Sequence, residues 1–263
     1  MKITLFTSNK KRHNYFINLL SEISDELFVV QECGTIFPGI INNHYIASKT
    51  MSNYFDKVNN AQNKIFGDGY IKGTKKRVNL LPILMGDLEK ISLDELSPFL
   101  KSEVYIVFGS SFIKGDLIDF LVKKKAINIH MGVSPFYRGT DCNFWALYDK
   151  KPHLVGATIH MLSKGLDSGP ILYHAMSKVF TNPFEYSMST VKSAFISLVK
   201  KIKDNSIFSI DPIKQDKNKE IRYSTKKEFN DKVVKNYLQE NKKFKLLTFD
   251  KSLLINPFFI NKL

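Results

Sequence analysis

Two side chains with chemical capacity stand two residues apart in the run Asn128-Ile129-His130. With Ala126 and Ile127 ahead of them, they read as the end of a short core strand. Residues two apart on a strand share a face. Asn128 and His130 therefore project together, and Ile127 and Ile129 project to the other side. An amide offers N–H donors to developing negative charge. An imidazole titrates near neutral pH and can hold or pass a proton. The pair is followed by the loop Met131 to Gly139, and ligands of open α/β sheets bind where core strands end in such loops. Taken alone, the pair is equally what a satisfied polar contact inside a core would look like.

The downstream residues separate these readings. Ser134-Pro135-Phe136-Tyr137-Arg138-Gly139 comes first, then Gly156-Ala157-Thr158-Ile159-His160, then Asp167-Ser168-Gly169-Pro170-Ile171-Leu172. From about Val104 to Leu172 the chain resembles the N10-formyltetrahydrofolate-dependent formyltransferase family, whose motif runs roughly N-x-H-x-S-x-x-P-x-Y-R-G; within it the resemblance is closest to the sugar N-formyltransferases. It implies an enzyme that moves a formyl group from N10-formyltetrahydrofolate, its cofactor, to an amine. Asn128, His130 and Asp167 are the implied catalytic residues. Asn128 would donate to the oxyanion, and His130 would donate to it or take the amine proton. Asp167 would orient His130 and hold it cationic, or relay a proton through water to the leaving nitrogen. His160 alternates in a strand of its own, and with no role in the motif it is taken as structural. The histidines are scattered without ligand spacing, so no metal is expected.

These groups need a sheet to hold them. Apolar runs at Ile3–Thr7, Leu27–Val30, Asn79–Leu84, Val104–Phe108 and Ala126–His130 alternate with helical patterns. Two antiparallel strands, Val155–Met161 and Ile171–Lys178, follow, and then an amphipathic helix from Pro183 to Lys203. The fold class this predicts is α/β: a Rossmann-like, mostly parallel sheet flanked by helices, with a small C-terminal extension. The predicted boundaries are a catalytic domain over 1–204 and an extension over 205–263. Helix starts are read at Ser8 or Asn9, at Asp94 and at Asp116, the last with Leu117, Phe120 and Leu121 inward. Gly67, Gly69 and Gly73 neither follow a strand nor open a helix, so they are no dinucleotide fingerprint.

Further site residues follow from the resemblance. The loop after Val104–Phe108 corresponds to one that helps hold a pterin, which makes Phe108, Gly109, Ser110, Phe112 and Ile113 the cofactor-binding candidates. At the first strand-to-helix turn the purine-biosynthesis members carry a Gly-rich turn, and this chain has Ser8 to His13 instead. Lys10, Arg12 and His13 are substrate-binding candidates through a phosphate, or else an ordinary basic first turn. Arg138 either contacts folate or acceptor, or braces its loop with a salt bridge.

Length and composition bound the rest. The chain has 263 residues, 43% hydrophobic, with 2 cysteines far apart and a formal charge of +14. That is enough for a core, and no apolar run approaches a membrane span. Met1-Lys2-Ile3-Thr4-Leu5-Phe6-Thr7 turns polar too soon for a signal peptide. Reduced thiols and a cytoplasmic location are expected, with no membrane partner. The diffuse basic charge fits an anionic partner or a plain solvated surface. Three acceptors come with the family: methionyl-tRNA, glycinamide ribonucleotide and amino groups on nucleotide-linked sugars. The C-terminal tail is short for the first and the N-terminal turn departs from the second, which leaves the nucleotide sugar. Tyr54, Phe55 and Tyr70 could stack on its base or pack. A non-catalytic, RNA-binding relative is the competing class, and the intact Asn128, His130 and Asp167 argue against it. Phe249, Leu253, Phe258 and Phe259 suggest a homodimer through the C-terminal region.

Overall fold

The computed structural model describes residues 1–34, 48–72 and 77–240. In chain order the strands and α-helices are β1 (Lys2–Ser8), α1 (Lys11–Ile23), β2 (Glu26–Cys33), α2 (Lys49–Phe66), β3 (Arg77–Leu84), α3 (Leu93–Leu96), β4 (Val104–Phe108), α4 (Gly115–Lys123), β5 (Ile127–His130), β6 (Tyr137–Gly139), α5 (Cys142–Tyr148), β7 (Ala157–Met161), β8 (Ile171–Ala175), α6 (Pro183–Lys203), β9 (Arg222–Ser224) and α7 (Asp231–Glu240). Gly73, residues 42–47 of the 42–66 segment and the apolar tail with Phe249, Leu253, Phe258 and Phe259 lie outside the described residues.

Seven strands form one sheet in the order β3-β2-β1-β4-β5-β7-β8. The first five are parallel, and β7 and β8 are antiparallel additions. This is the mostly parallel α/β architecture that the alternating pattern predicts. The continuous apolar runs of β1 and β4 follow from burial on both faces. Ile3 and Leu5 pack with Phe16 and Leu20 of α1 and Phe195 and Leu198 of α6, where Phe16 and Phe195 stack with centroids 4.3 Å apart. Phe6, Tyr105 and Val107 face the other way, onto Leu96, Leu117 and Leu121. Strand order reverses between β1 and β4, so their carboxyl ends part and leave a crevice, the usual ligand position in such sheets.

Several local expectations are corrected. Helix α1 has Lys10 at its N-cap with no side-chain cap bond, so neither Ser8 nor Asn9 starts it. The 94–100 helix is a four-residue α3 and a 3₁₀ turn, Ser97–Phe99. On α4 the inward residues are Leu117, Ile118 and Leu121, while Phe120 lies half-exposed under the Lys124 ammonium. Tyr54 is no stacking surface: it is buried on α2 against Phe144, Phe184 and Phe229. Cys33 and Cys142 are free thiols. Among the described residues no helix is long and apolar enough to cross a membrane.

The described part of 205–240 returns to the loop after β5. Strand β9 pairs in parallel with β6. Ile213 bridges Ile171 of β8. Helix α7 brings Val234 and Tyr237 into the cluster around Tyr54 and Phe144.

Candidate active site

Strand β5 is short because its two polar residues end it. Ile127 and Ile129 enter the core, and Asn128 and His130 face the crevice, as a two-residue period requires. Behind His130 the chain must pass closely. A Cβ at Gly132 would come within 2.6 Å of His130 Nε2 and 2.5 Å of Cys142 Cβ, so only glycine fits there. Thr158 then fixes the loop, donating to Gly132 O at 2.6 Å and accepting Ser134 N–H at 2.8 Å.

Asp167 arrives from the β7–β8 loop. Its Oδ2 lies 3.1 Å from His130 Nδ1, with both side chains largely buried. His130 Nε2 lies 3.2 Å from Tyr137 O. A carbonyl can only accept, so imidazolium satisfies both contacts as a double donor. Burial opposes charge on this ring, but the Asp167 carboxylate, helped by Cys142, outweighs it and raises the histidine well above its ordinary value. Burial likewise pushes the Asp167 carboxyl up, and His130 overcomes this and holds it well below the usual carboxylate range. The pair is an ion pair. Asp167 lines the cavity and Tyr137 does not, so Nδ1 is the nitrogen on the cavity side.

The site contains two positioning residues that sequence reasoning missed. Asn128 and His160 are directly opposed in the antiparallel β5–β7 register. Asn128 Nδ2 lies 2.9 Å from His160 Nε2 and 3.4 Å from Asp167 Oδ1. His160 Nδ1 lies 2.8 Å from Met161 O and so carries the proton, leaving Nε2 to accept from the amide. His160 is thus part of the network rather than a plain core residue. The second is Gln215, whose Nε2 donates to the carbonyls of both Asp167 and Gly169 at 2.8 Å and tethers the aspartate's loop. The β5–β7 register is the only signal for His160; nothing near Gln215 marks it.

One cavity of about 340 Å3 is lined by Asn128, His130 and Asp167 and also by Phe108, Gly109, Ser110, Phe112 and Ile113. Lys10, Arg12 and His13 line the same space. Gly109 allows the two groups to meet: its φ is +65°, and a Cβ there would come within 2.5 Å of His13 Cε1. His13 is neutral. Burial, then Arg12 and Lys10, lower it well below its ordinary value, and its Nδ1 accepts Ser8 N–H at 3.2 Å. Arg12 donates to Gln62 at 2.8 Å, and its proximity, with burial, lowers Lys10 to about 8. Arg138 is apart from the rest. It does not line the cavity but pairs with Glu220 at 3.0 Å and donates to Leu166 O at 3.2 Å, which is the loop-bracing role.

The model of the formyl transferase family matches residues 93–202, a segment that runs from α3 through β5 and the aspartate loop into α6. The match takes in every residue of the His130, Asn128 and Asp167 cluster and leaves residues 1–92 and 203–263 outside it. No curated protein matches the sequence. Solved structures do. A sugar N-formyltransferase from Shewanella sp. is 16% identical over 87% of this chain and 78% of its own, with a TM-score of 0.53. An N-formyltransferase from Helicobacter canadensis, in complex with folinic acid and dTDP-3-aminofucose, is 12% identical over 95% and 85%, at 0.50. Glycinamide ribonucleotide transformylase 1 from Symbiobacterium toebii is 14% identical over 82% and 94%, at 0.51. At these identities the likeness shows the fold.

Proposed function

We propose that this protein moves the formyl group of N10-formyltetrahydrofolate to a primary amine of a nucleotide-linked sugar. The observation that carries the reading is the single cavity shared by the Asn128, His130 and Asp167 side chains, the Phe108–Ile113 loop and the basic turn of α1. A flat heteroaromatic ring needs apolar walls and a few backbone hydrogen bonds. Val107, Phe112 and Ile113 supply the walls, and Gly109 keeps open a space that a Cβ would close. When bound, the folate supplies a formyl group on nitrogen.

The chain's own groups then have distinct tasks. His130, charged by Asp167, places a positive ring beside the cavity, where negative charge on a carbonyl oxygen is stabilised. It can also give a proton to a departing nitrogen. Asp167 is held too acidic to serve as a strong base, so its task is to orient and charge His130. Asn128 keeps one amide N–H on His160 Nε2 and turns the other, which makes only the long 3.4 Å contact to Asp167, to the same oxygen. Lys10 and Arg12 make no ion pair among the described residues, and together with the N-terminus of α1 they suit a phosphate-bearing acceptor. Glycinamide ribonucleotide also carries phosphate and is the reading to test against.

The test is release of tetrahydrofolate when the protein and formyl donor are mixed with dTDP- and UDP-linked amino sugars, glycinamide ribonucleotide or methionyl-tRNA. Turnover with a nucleotide sugar alone is the expected result. Turnover confined to the ribonucleotide would replace the acceptor. Absence of turnover with every amine, beside tight salt-dependent RNA binding, would favour a non-catalytic binder.

A further inference from the structure

Glu32 stands near the carboxyl end of β2 with no exposed surface, and it makes no ion pair among the described residues. Its carboxylate is met by neutral donors only. Gly86 N–H reaches it at 3.0 Å and the Ser111 hydroxyl at 2.7 Å, and Ser111 N–H completes the set. Dinucleotide-binding sheets use an acid in this part of the fold to bind a ribose. Here internal donors consume it. A buried charge is tolerated only while its donors stay in place. The loop after β3 and the loop after β4 are therefore coupled through one side chain, since neither can shift without unpairing the carboxylate. Next to these donors stand Met85 and Phe112, which line the cavity although Glu32 does not. They are 43% and 48% exposed, so they are apolar groups held open instead of packed.

We infer that Glu32 is a positioning residue that sets the spacing of Met85 and Phe112, and so the slot for the ring system of the formyl donor. The inference rests on the donor reading given above. Among the described residues the bonds of the Glu32 carboxylate go to Gly86 and Ser111 and not to Lys10, Arg12 or His13, so its signature is selective. In Glu32→Gln an NH2 replaces one acceptor oxygen and meets an N–H or O–H donor. KM for N10-formyltetrahydrofolate and Kd for tetrahydrofolate should rise about tenfold, as for small misplacements of a binding wall. At saturating donor kcat should stay within about twofold, and the acceptor KM should not move. Amide hydrogen exchange at Gly86 and Ser111 should quicken while the rest of the sheet keeps its protection. Ser111→Ala removes the hydroxyl contact to Glu32 but also alters a residue that lines the cavity, so it is read by amide exchange at Gly86, which should quicken less than in Glu32→Gln; this keeps the test usable if the glutamine variant does not fold. Unchanged donor KM and unchanged exchange at Gly86 and Ser111 would overturn the inference. So would a lowered melting temperature with every kinetic parameter intact, the mark of a purely structural carboxylate. If the unaltered protein binds no folate, the donor reading fails by itself, and exchange at the two loops still decides whether Glu32 couples them.

Discussion

His130 Nδ1 and Asp167 Oδ2 lie 3.1 Å apart in a setting that leaves either side chain at most 12% exposed. Their shifts run in opposite directions, histidine up and aspartate down. The signs set a window. The raised histidine contributes stability that is complete below its ordinary 6.5 and fades as pH climbs through the raised value. The depressed aspartate contributes stability that is complete above its ordinary 3.8 and fades as pH falls through the depressed value. The two are one interaction, strongest between those limits. In Asp167→Asn the burial of His130 is no longer opposed, so its value should fall. The alkaline limb of kcat/KM, set by loss of the imidazolium proton, should move to lower pH. At pH 7 kcat should drop by about 10²-fold, and urea unfolding should lose on the order of 3 kcal/mol. A pH profile identical to the unaltered protein's would remove Asp167 from the charging role.

His160 accepts from the Asn128 amide because its own Nδ1 proton is committed to Met161 O. His160→Ala frees the amide to rotate and should lower kcat by about tenfold to a hundredfold with both KM values little changed. His160→Gln retains an acceptor oxygen and should recover part of the loss. Steady-state kinetics of the three proteins side by side checks this. Equal kcat in all three would return His160 to simple packing.

Lys10 and Arg12 face the cavity from the start of α1. Lys10 is lowered to about 8, chiefly by Arg12. Acceptor KM should therefore rise as pH passes about 8, and inorganic phosphate should compete with acceptor but not with donor. Lys10→Ala should raise acceptor KM by about tenfold, the loss of one charged phosphate contact. Arg12→Ala should do the same and also shift the alkaline rise in KM upward, because Lys10 regains its proton affinity. An acceptor KM independent of pH over about one unit either side of 8 would separate this turn from the acceptor.

Much of this architecture is readable from local pattern. Val104–Phe108 and Ile3–Thr7 are continuous apolar runs because both faces of a central parallel strand are covered, and the polar pair in β5 interrupts such a run where a site is needed. Pattern fails where partners are distant in sequence. The opposition of Asn128 and His160 is a matter of register across β5 and β7. The tether from Gln215 to Asp167 spans 48 residues and the clamp from Glu32 to Ser111 spans 79, and neither residue type is unusual at its position. Tyr54 misleads for the opposite reason: an aromatic on an amphipathic helix has the same spacing whether it lines a ligand or a core, and here α5, α6 and α7 cover it.

Gly109 offers a test of how closely the donor and acceptor halves are joined. Its φ of +65° and the 2.5 Å approach of a built Cβ to His13 Cε1 are separate obstacles to a side chain. Gly67 supplies the control, with φ at +76° and nothing within 4 Å of the built Cβ. Gly67→Ala should cost only the backbone penalty, about 1 kcal/mol in urea unfolding, and leave kinetics alone. Gly109→Ala should cost that and more, on the order of 2–3 kcal/mol, since His13 must leave its tilted contact with the Phe108 ring, 4.7 Å between centroids. Because His13 borders the basic turn and Phe108 begins the donor loop, KM for both substrates should rise together. If Gly109→Ala matched Gly67→Ala in stability and kept both KM values, the contact between His13 and Gly109 would not be what holds the two halves of the cleft in register.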